Sequence, residues 1–237
     1  MSLRVLHLTN DNTLVDGSGF RHSFIHKNED CSICKTYREQ FTNAFDVSHG
    51  STEDVEKAWI LTYTGKKFKH LAPTPEMIDI RDIAHALSNL GRWTGHTKWF
   101  YPVAQHAVYC SYLVAPEFAF DALNHDDAEA YLGDMNSPLK HFTAAGPAYL
   151  KIEEKVEAVL FKKFGVRFPL PPEVKEVDTQ MLYAERAQLL DNPDGVQYEH
   201  NKWGMDETAA NIRIERWTAR RAEKMFLRRF RELYKEK

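Results

Sequence analysis

An all-α body is predicted from three observations. Apolar residues recur every three or four positions in successive windows from Ile80 to Leu233, and these windows are bounded by helix-capping and helix-stopping residues. The β-prone runs, Leu3 to Leu8 and Trp59 to Gly65, both lie ahead of them. In order, Asp79 can cap a helix carrying Ile80, Ile83, Ala84, Leu87 and Leu90 that stops near Gly91. Further helices are predicted over about 103–114 and 117–132. Pro147 opens another, with Tyr149, Ile152, Val156, Val159, Leu160 and Phe164 on one stripe and Gly165 just past its end. Two more are predicted over about 171–190 and 217–235. In the last, Ala222, Met225, Phe226, Phe230 and Leu233 share one side, with Arg220, Arg221, Arg228, Arg229 and Arg231 largely on the rest. The interleaved Glu215, Glu223, Glu232 and Glu236 mark that basic side as a solvated face.

Residues 1–58 read as a mostly irregular N-terminal extension, because Asn10-Asp11-Asn12 and Asp16-Gly17-Ser18-Gly19 are turn chemistry. Residues 59–237 form the body, entered through Pro73-Thr74-Pro75. With 43% apolar and 27% charged residues, the 237-residue chain can build a sizeable core. Its 31 Lys and Arg against 34 Asp and Glu leave a formal charge of -3, which excludes a broad positive field for duplex nucleic acid but not a small anionic substrate. No apolar run approaches the roughly 20 residues a bilayer requires. Met1 to Asn10 lacks a signal-peptide core, so a cytoplasmic protein without a membrane partner is expected.

Chemistry is sought where polar residues interrupt apolar stripes. His106 lies among Val103, Ala107, Cys110 and Val114, and its imidazole is predicted to point inward. His125, Asp126 and Glu129 sit among Phe120, Leu123, Ala128, Tyr131 and Leu132 at spacings that can share a pocket. Asp178 falls between Val174 and Met181, inside the stripe of its helix, where a carboxylate needs a cation or a strong donor. Two inward His, two Asp and a Glu on three helices suit a divalent metal with positions open for water.

Several motifs accompany these residues. They are Thr62-Tyr63-Thr64-Gly65-Lys66-Lys67-Phe68, Asp82-Ile83-Ala84-His85-Ala86-Leu87-Ser88, Gly91-Arg92-Trp93, Gly95-His96-Thr97 and Val103-Ala104-Gln105-His106. Further on come His125-Asp126-Asp127-Ala128-Glu129-Ala130-Tyr131 and Gly133-Asp134-Met135-Asn136-Ser137-Pro138-Leu139-Lys140. On these residues the segment from Tyr63 to Lys140 resembles the HD-superfamily phosphohydrolases, and within them the 5'-deoxynucleotidase-like group common in bacteria and their phages. The likeness runs more loosely through Asp178 to the last helix.

The resemblance implies an HD-domain helical bundle and a homo-oligomer, dimeric or higher. It implies one catalytic divalent ion, Co2+, Mn2+, Zn2+ or similar, held by His106, His125, Asp126 and Asp178. Glu129 would orient water or exchange a proton with the leaving oxygen, Arg92 would orient phosphate, and Trp93, Asp134 and Ser137 would border the sugar or base. Gln105 stands where better-studied bacterial members usually have Glu, a change expected to leave ligation intact. His96 and Lys98 are further candidate phosphate contacts.

Three functions follow as expectations: a phosphohydrolase removing the 5'-phosphate from deoxyribonucleoside monophosphates, a dNTP (dATP-type) triphosphohydrolase on the same site, or a non-catalytic nucleotide-binding or scaffold module. In the extension, His22, His26, Cys31 and Cys34 have the ligand types and short spacings of a structural Zn2+ site.

Overall fold

The computed structural model describes residues 52–191 and 210–234, together with three short strands nearer the start of the chain. The chain forms two compact units, Met1–Asp46 and Val47–Lys237. In the first, β1 (His7–Leu8), β2 (Thr13–Val15) and β3 (Arg21–Ser23) make an antiparallel sheet in the order β1-β2-β3, with His7 opposite Val15 and Leu14 opposite His22. The extension expected to be mostly irregular therefore contains a small sheet. Its strands are two or three residues long, too short for alternating polarity to register, and the two turn clusters fall between them in sequence. Of the four zinc candidates, His22 is described only as part of the β3 backbone; His26, Cys31 and Cys34 lie outside the described residues.

The second unit opens with α1 (Thr52–Lys57), so its start precedes the expected boundary at 58. An antiparallel hairpin follows, β4 (Trp59–Leu61) against β5 (Lys67–Lys69), turning at Gly65 with φ +82. Buried Asp82 secures the turn by accepting from Thr64 N–H at 2.6 Å and from its hydroxyl at 2.9 Å.

The rest is helical: α2 (Ile80–Asn89), α3 (Val103–Leu113), α4 (Ala119–Asn124), α5 (Glu129–Leu132), α6 (Ser137–Phe142), α7 (Gly146–Phe164), α8 (Pro172–Leu189) and α9 (Ala219–Leu233). Asp79 caps α2 by accepting from Arg81 N–H at 3.0 Å, Thr218 caps α9 in the same way from Arg221, and Gly165 ends α7 in the left-handed conformation.

The predicted helix over 117–132 is divided. His125 to Ala128 form a turn closed by i→i−3 bonds, Asp127 N–H to Asn124 and Glu129 N–H to Asp126, before α5 resumes. The apolar pattern runs straight across this break, which is why sequence periodicity did not reveal it.

Helix α3 is the centre of the unit: α2, α4, α8 and α9 all pack on it, and every residue from Val103 to Ser111 is buried. A helix enclosed all round loses the one-sided pattern of a surface helix and takes polar residues inward wherever they occur. Around it lie Ile83, Leu87, Leu123, Leu160, Met181 and Phe226, all fully enclosed. The Arg-rich face of α9 is indeed solvated and paired. Arg228 meets Glu232 at 2.9 Å, and Arg229 reaches back to the Ser111 carbonyl at 2.9 Å, satisfying an orphan acceptor at the end of α3. No helix among the described residues is long and apolar enough to cross a membrane.

Phe226 is the residue through which α9 closes over the core, at 0% exposure. Phe226→Ala is expected to destabilise the protein by about 3–5 kcal/mol, the usual cost of emptying a Phe site. Urea unfolding checks this, and a loss below about 1 kcal/mol would mean that α9 is not part of the cooperative core.

Candidate metal centre

Four of the side chains singled out from the sequence meet at one point. His106 comes from α3, His125 and Asp126 from the tight turn between α4 and α5, and Asp178 from α8. His106 Nε2 lies 3.2 Å from Asp178 Oδ1 and 3.3 Å from His125 Nε2. His125 Nε2 lies 3.3 Å from Asp126 Oδ1 and 3.9 Å from Asp178 Oδ1, and His106 Nε2 lies 3.8 Å from Asp126 Oδ2.

The far side of each imidazole fixes what the near side presents. His125 Nδ1 is 2.8 Å from the Ala122 carbonyl, which can only accept, so Nδ1 carries the proton. His106 Nδ1 is 2.6 Å from Glu185 Oε1 and donates to that carboxylate. With Nε2 unprotonated, the two rings would turn lone pairs toward each other and toward two carboxylates, an arrangement that calls for a cation among them; without an ion, a proton on Nε2 fills that place. The electrostatics agree. Burial opposes the charged form of Asp178, yet hydrogen bonds from His106 and His125 and the Lys175 ammonium at 2.8 Å hold it well below the usual carboxylate range. Burial and Arg92 likewise oppose a charged His106, but Cys110, Glu185 and Asp178 outweigh them and pull a proton onto the ring, the place an ion would take.

Nitrogen and oxygen ligands about 2.0–2.2 Å from an ion, at angles between right and tetrahedral, lie roughly 2.8–3.6 Å from one another. The three shortest separations fall in that range and the other two, at 3.8 and 3.9 Å, exceed it by a few tenths of an ångström, so this donor set fits a divalent ion after a small closing shift. His106, Cys110 and His125 also form a buried group whose ligand atoms lie within 4.8 Å of one another and could hold a metal. Cys110 Sγ, however, is 3.5 Å from His106 Nε2 and 4.0 Å from Nδ1. A ligand on the Nε2 lone-pair axis would be farther from Nδ1 by nearly the width of the ring. The sulfur lies alongside the imidazole, and the carboxylates face the lone pair.

Arg92 and Trp93 adjoin the cluster on a loop pinned at its neck by the Gly91–Pro102 bridge and by Arg92 N–H to the Tyr101 carbonyl at 2.9 Å. Trp93 and Thr94 hold φ of 58 and 53, left-handed values costing side-chain-bearing residues about 1–3 kcal/mol each, a strain that gathers at functional sites. Glu185, fully buried on α8, holds the loop: its Oε2 accepts from Arg92 Nε and from Trp93 Nε1, each at 3.0 Å. Burial raises the Glu185 carboxyl, but Arg92, His106 and Trp93 prevail and bring it down to about 2. Arg92 Nη1 also reaches Asp126 Oδ2 at 3.5 Å.

Glu129 is buried, with Oε2 unpartnered among the described residues; burial, then Asp126 and Asp134, push its carboxyl well up. Asp134 is raised by burial and by Asp126 against the pull of Arg92 and Lys140. His96 and Ser137, by contrast, are exposed, His96 donating its backbone N–H to the Trp93 carbonyl at 3.0 Å, and Lys98 pairs with Asp191 at 3.0 Å. Gln105 faces away from the cluster, donating to the Glu215 carbonyl at 2.7 Å and to the Tyr109 hydroxyl at 3.1 Å.

The sequence reading missed Glu185 and Lys175. Glu185 stands seven residues after Asp178, two turns along the same face of α8, a spacing that could have singled it out. It also missed Asp127, fully buried with both carboxyl oxygens unpartnered among the described residues and pushed well up by burial and Asp126.

Fold and site together define a helical bundle with a buried His106, Cys110 and His125 group that could hold a metal ion, and with Asp126 and Asp178 beside it. The chain belongs to the family of the uncharacterized protein YfdR of Escherichia coli K12, to which it is 46% identical over 132 residues, 56% of this chain and 72% of that protein. It is also 34% identical over 148 residues to the uncharacterized protein RCAP_rcc00048 of Rhodobacter capsulatus, spanning 57% of this chain and 74% of the relative. No family model matches the chain.

An ion bound only by the folded state adds RT ln(1 + [L]/Kd), about 2.7 kcal/mol at a hundredfold excess over Kd. Mn2+ or Co2+ is therefore expected to raise the Tm of the metal-stripped protein, and Asp178→Ala to abolish the rise. Cys110→Ala is expected to keep it; loss of the rise in that variant would make the sulfur a ligand.

Proposed function

We propose that the protein is a metal-dependent phosphohydrolase of the HD superfamily that removes the 5'-phosphate from deoxyribonucleoside monophosphates. The observation that carries this reading is the convergence of two imidazole lone pairs and two carboxylates beside a buried guanidinium. Sites for simple metal storage have no use for an arginine next to the ion, whereas a phosphoryl group needs both. The sequence resemblance supplies the substrate class.

His106, His125, Asp126 and Asp178 would hold the ion, with Mn2+ or Co2+ as the species to try first. When bound, it polarises the phosphoryl oxygen and lowers the pKa of a water. The chain supplies the rest. Arg92 is fixed through Nε by Glu185, its Nη1 makes a long contact with Asp126 at 3.5 Å, and Nη2 would orient the phosphate. Burial favours the protonated form of Glu129, so its carboxyl can give a proton to the departing 5'-oxygen and be left as carboxylate. Trp93, immobilised by its bond to Glu185, and Asp134 would border the sugar closely enough to leave no room for a 2'-hydroxyl. His96 and Ser137, both exposed, would meet the phosphate or the sugar only once it is bound.

A screen of dNMPs, NMPs and dNTPs against Mn2+, Co2+ and Zn2+, following phosphate, pyrophosphate and triphosphate separately, tests the proposal. Phosphate from dNMPs is expected. Triphosphate from dNTPs would move the activity to the triphosphohydrolase class, and metal-loaded protein inert toward every nucleotide would leave a binding module. Glu129→Gln is expected to lower kcat about 10²–10⁴-fold with metal uptake unchanged.

A further inference from the structure

Glu185 is not among the residues that touch an ion or a substrate, yet three functional groups end on it. One oxygen takes His106 Nδ1–H at 2.6 Å; the other takes Arg92 Nε–H and Trp93 Nε1–H at 3.0 Å each. Both oxygens are enclosed, so neither can exchange these donors for water. We propose that Glu185 is the positioning residue of the site: one carboxylate sets the His106 tautomer that faces the ion and holds the Arg92–Trp93 loop that faces the anion. That the anion is a nucleotide phosphate rests on the function proposed above; the link between ion and loop does not.

An amide at this position makes the dependence visible. A carboxylate accepts on both oxygens, whereas Gln must offer a donor on one side. Arg92 and Trp93 have no tautomer in which those nitrogens accept, but His106 can move its proton from Nδ1 to Nε2. In Glu185→Gln the amide oxygen therefore stays with Arg92 and Trp93 while the NH2 turns to His106 Nδ1. The His106 proton is driven onto Nε2, where the ion must bind. Trp93→Phe removes a single donor from the loop side and leaves the His106 bond untouched.

The experiment is a Co2+ titration of the metal-stripped full chain followed by its visible absorption, then a titration of the Co2+-loaded protein with inorganic phosphate. Partners of metal-bound histidines are typically worth 10–100-fold in metal affinity. Glu185→Gln is expected to weaken Co2+ binding by that factor and to alter the band positions, because ligand identity at His106 changes. Trp93→Phe is expected to keep Co2+ affinity within about twofold while weakening phosphate binding several-fold. Wild-type Co2+ affinity and spectrum in a folded Glu185→Gln would overturn the proposal. If that variant does not fold, Trp93→Phe decides alone: unchanged phosphate binding overturns the link to the loop. Neither titration needs turnover, so a protein that binds Co2+ as expected but hydrolyses nothing would refute the phosphohydrolase reading and leave this one standing.

Discussion

Enclosed negative charge must be balanced, and the second unit is organised around that requirement. Two carboxylates and two imidazole lone pairs point at one another at little more than 3 Å within the packed interior, and a third carboxylate, Glu185, lies directly behind. Left alone, such a cluster would repel itself or gather protons. Without an ion, Arg92, Lys175 and a proton on the His106 ring supply that balance, and a bound ion would take the place of the proton. That the helices deliver these groups to one point, rather than scattering them, is the strongest sign that the bundle exists to present them.

Much of this was legible in the sequence, for a specific reason. A polar residue inside an apolar stripe is an anomaly that helical spacing exposes, and His106, His125, Asp126 and Asp178 each interrupt such a stripe. Helix ends were legible where capping chemistry is local, as at Asp79 and Gly165. The break between α4 and α5 was not, because Leu123, Ala128 and Tyr131 continue the apolar rhythm across a turn whose bonds are i→i−3. Glu185 escaped notice because Glu185-Arg186 reads as an ordinary surface charge pair; only the arrival of Arg92 and Trp93 from a distant loop shows what the carboxylate is for.

The residue that departs from the resemblance also has a structural account. Gln105 is completely buried, turned about 100° around α3 from its neighbour His106, and its amide fastens residue 215 and Tyr109 together. A carboxylate there would meet the Glu215 carbonyl, another acceptor, so the neutral amide suits this chain's own path between α8 and α9.

The four converging side chains are not equally hidden. His106 and His125 are exposed by 0% and 7%, whereas Asp126 and Asp178 are exposed by 17% and 20%. The cluster thus has a floor of nitrogen and a rim of oxygen. A cation taken up from solvent would meet the partly exposed carboxylates before the enclosed imidazoles. Arg92, which lies 3.5 Å from Asp126, stands beside that more open side, so an anion held by Arg92 would sit next to the route by which such an ion comes and goes.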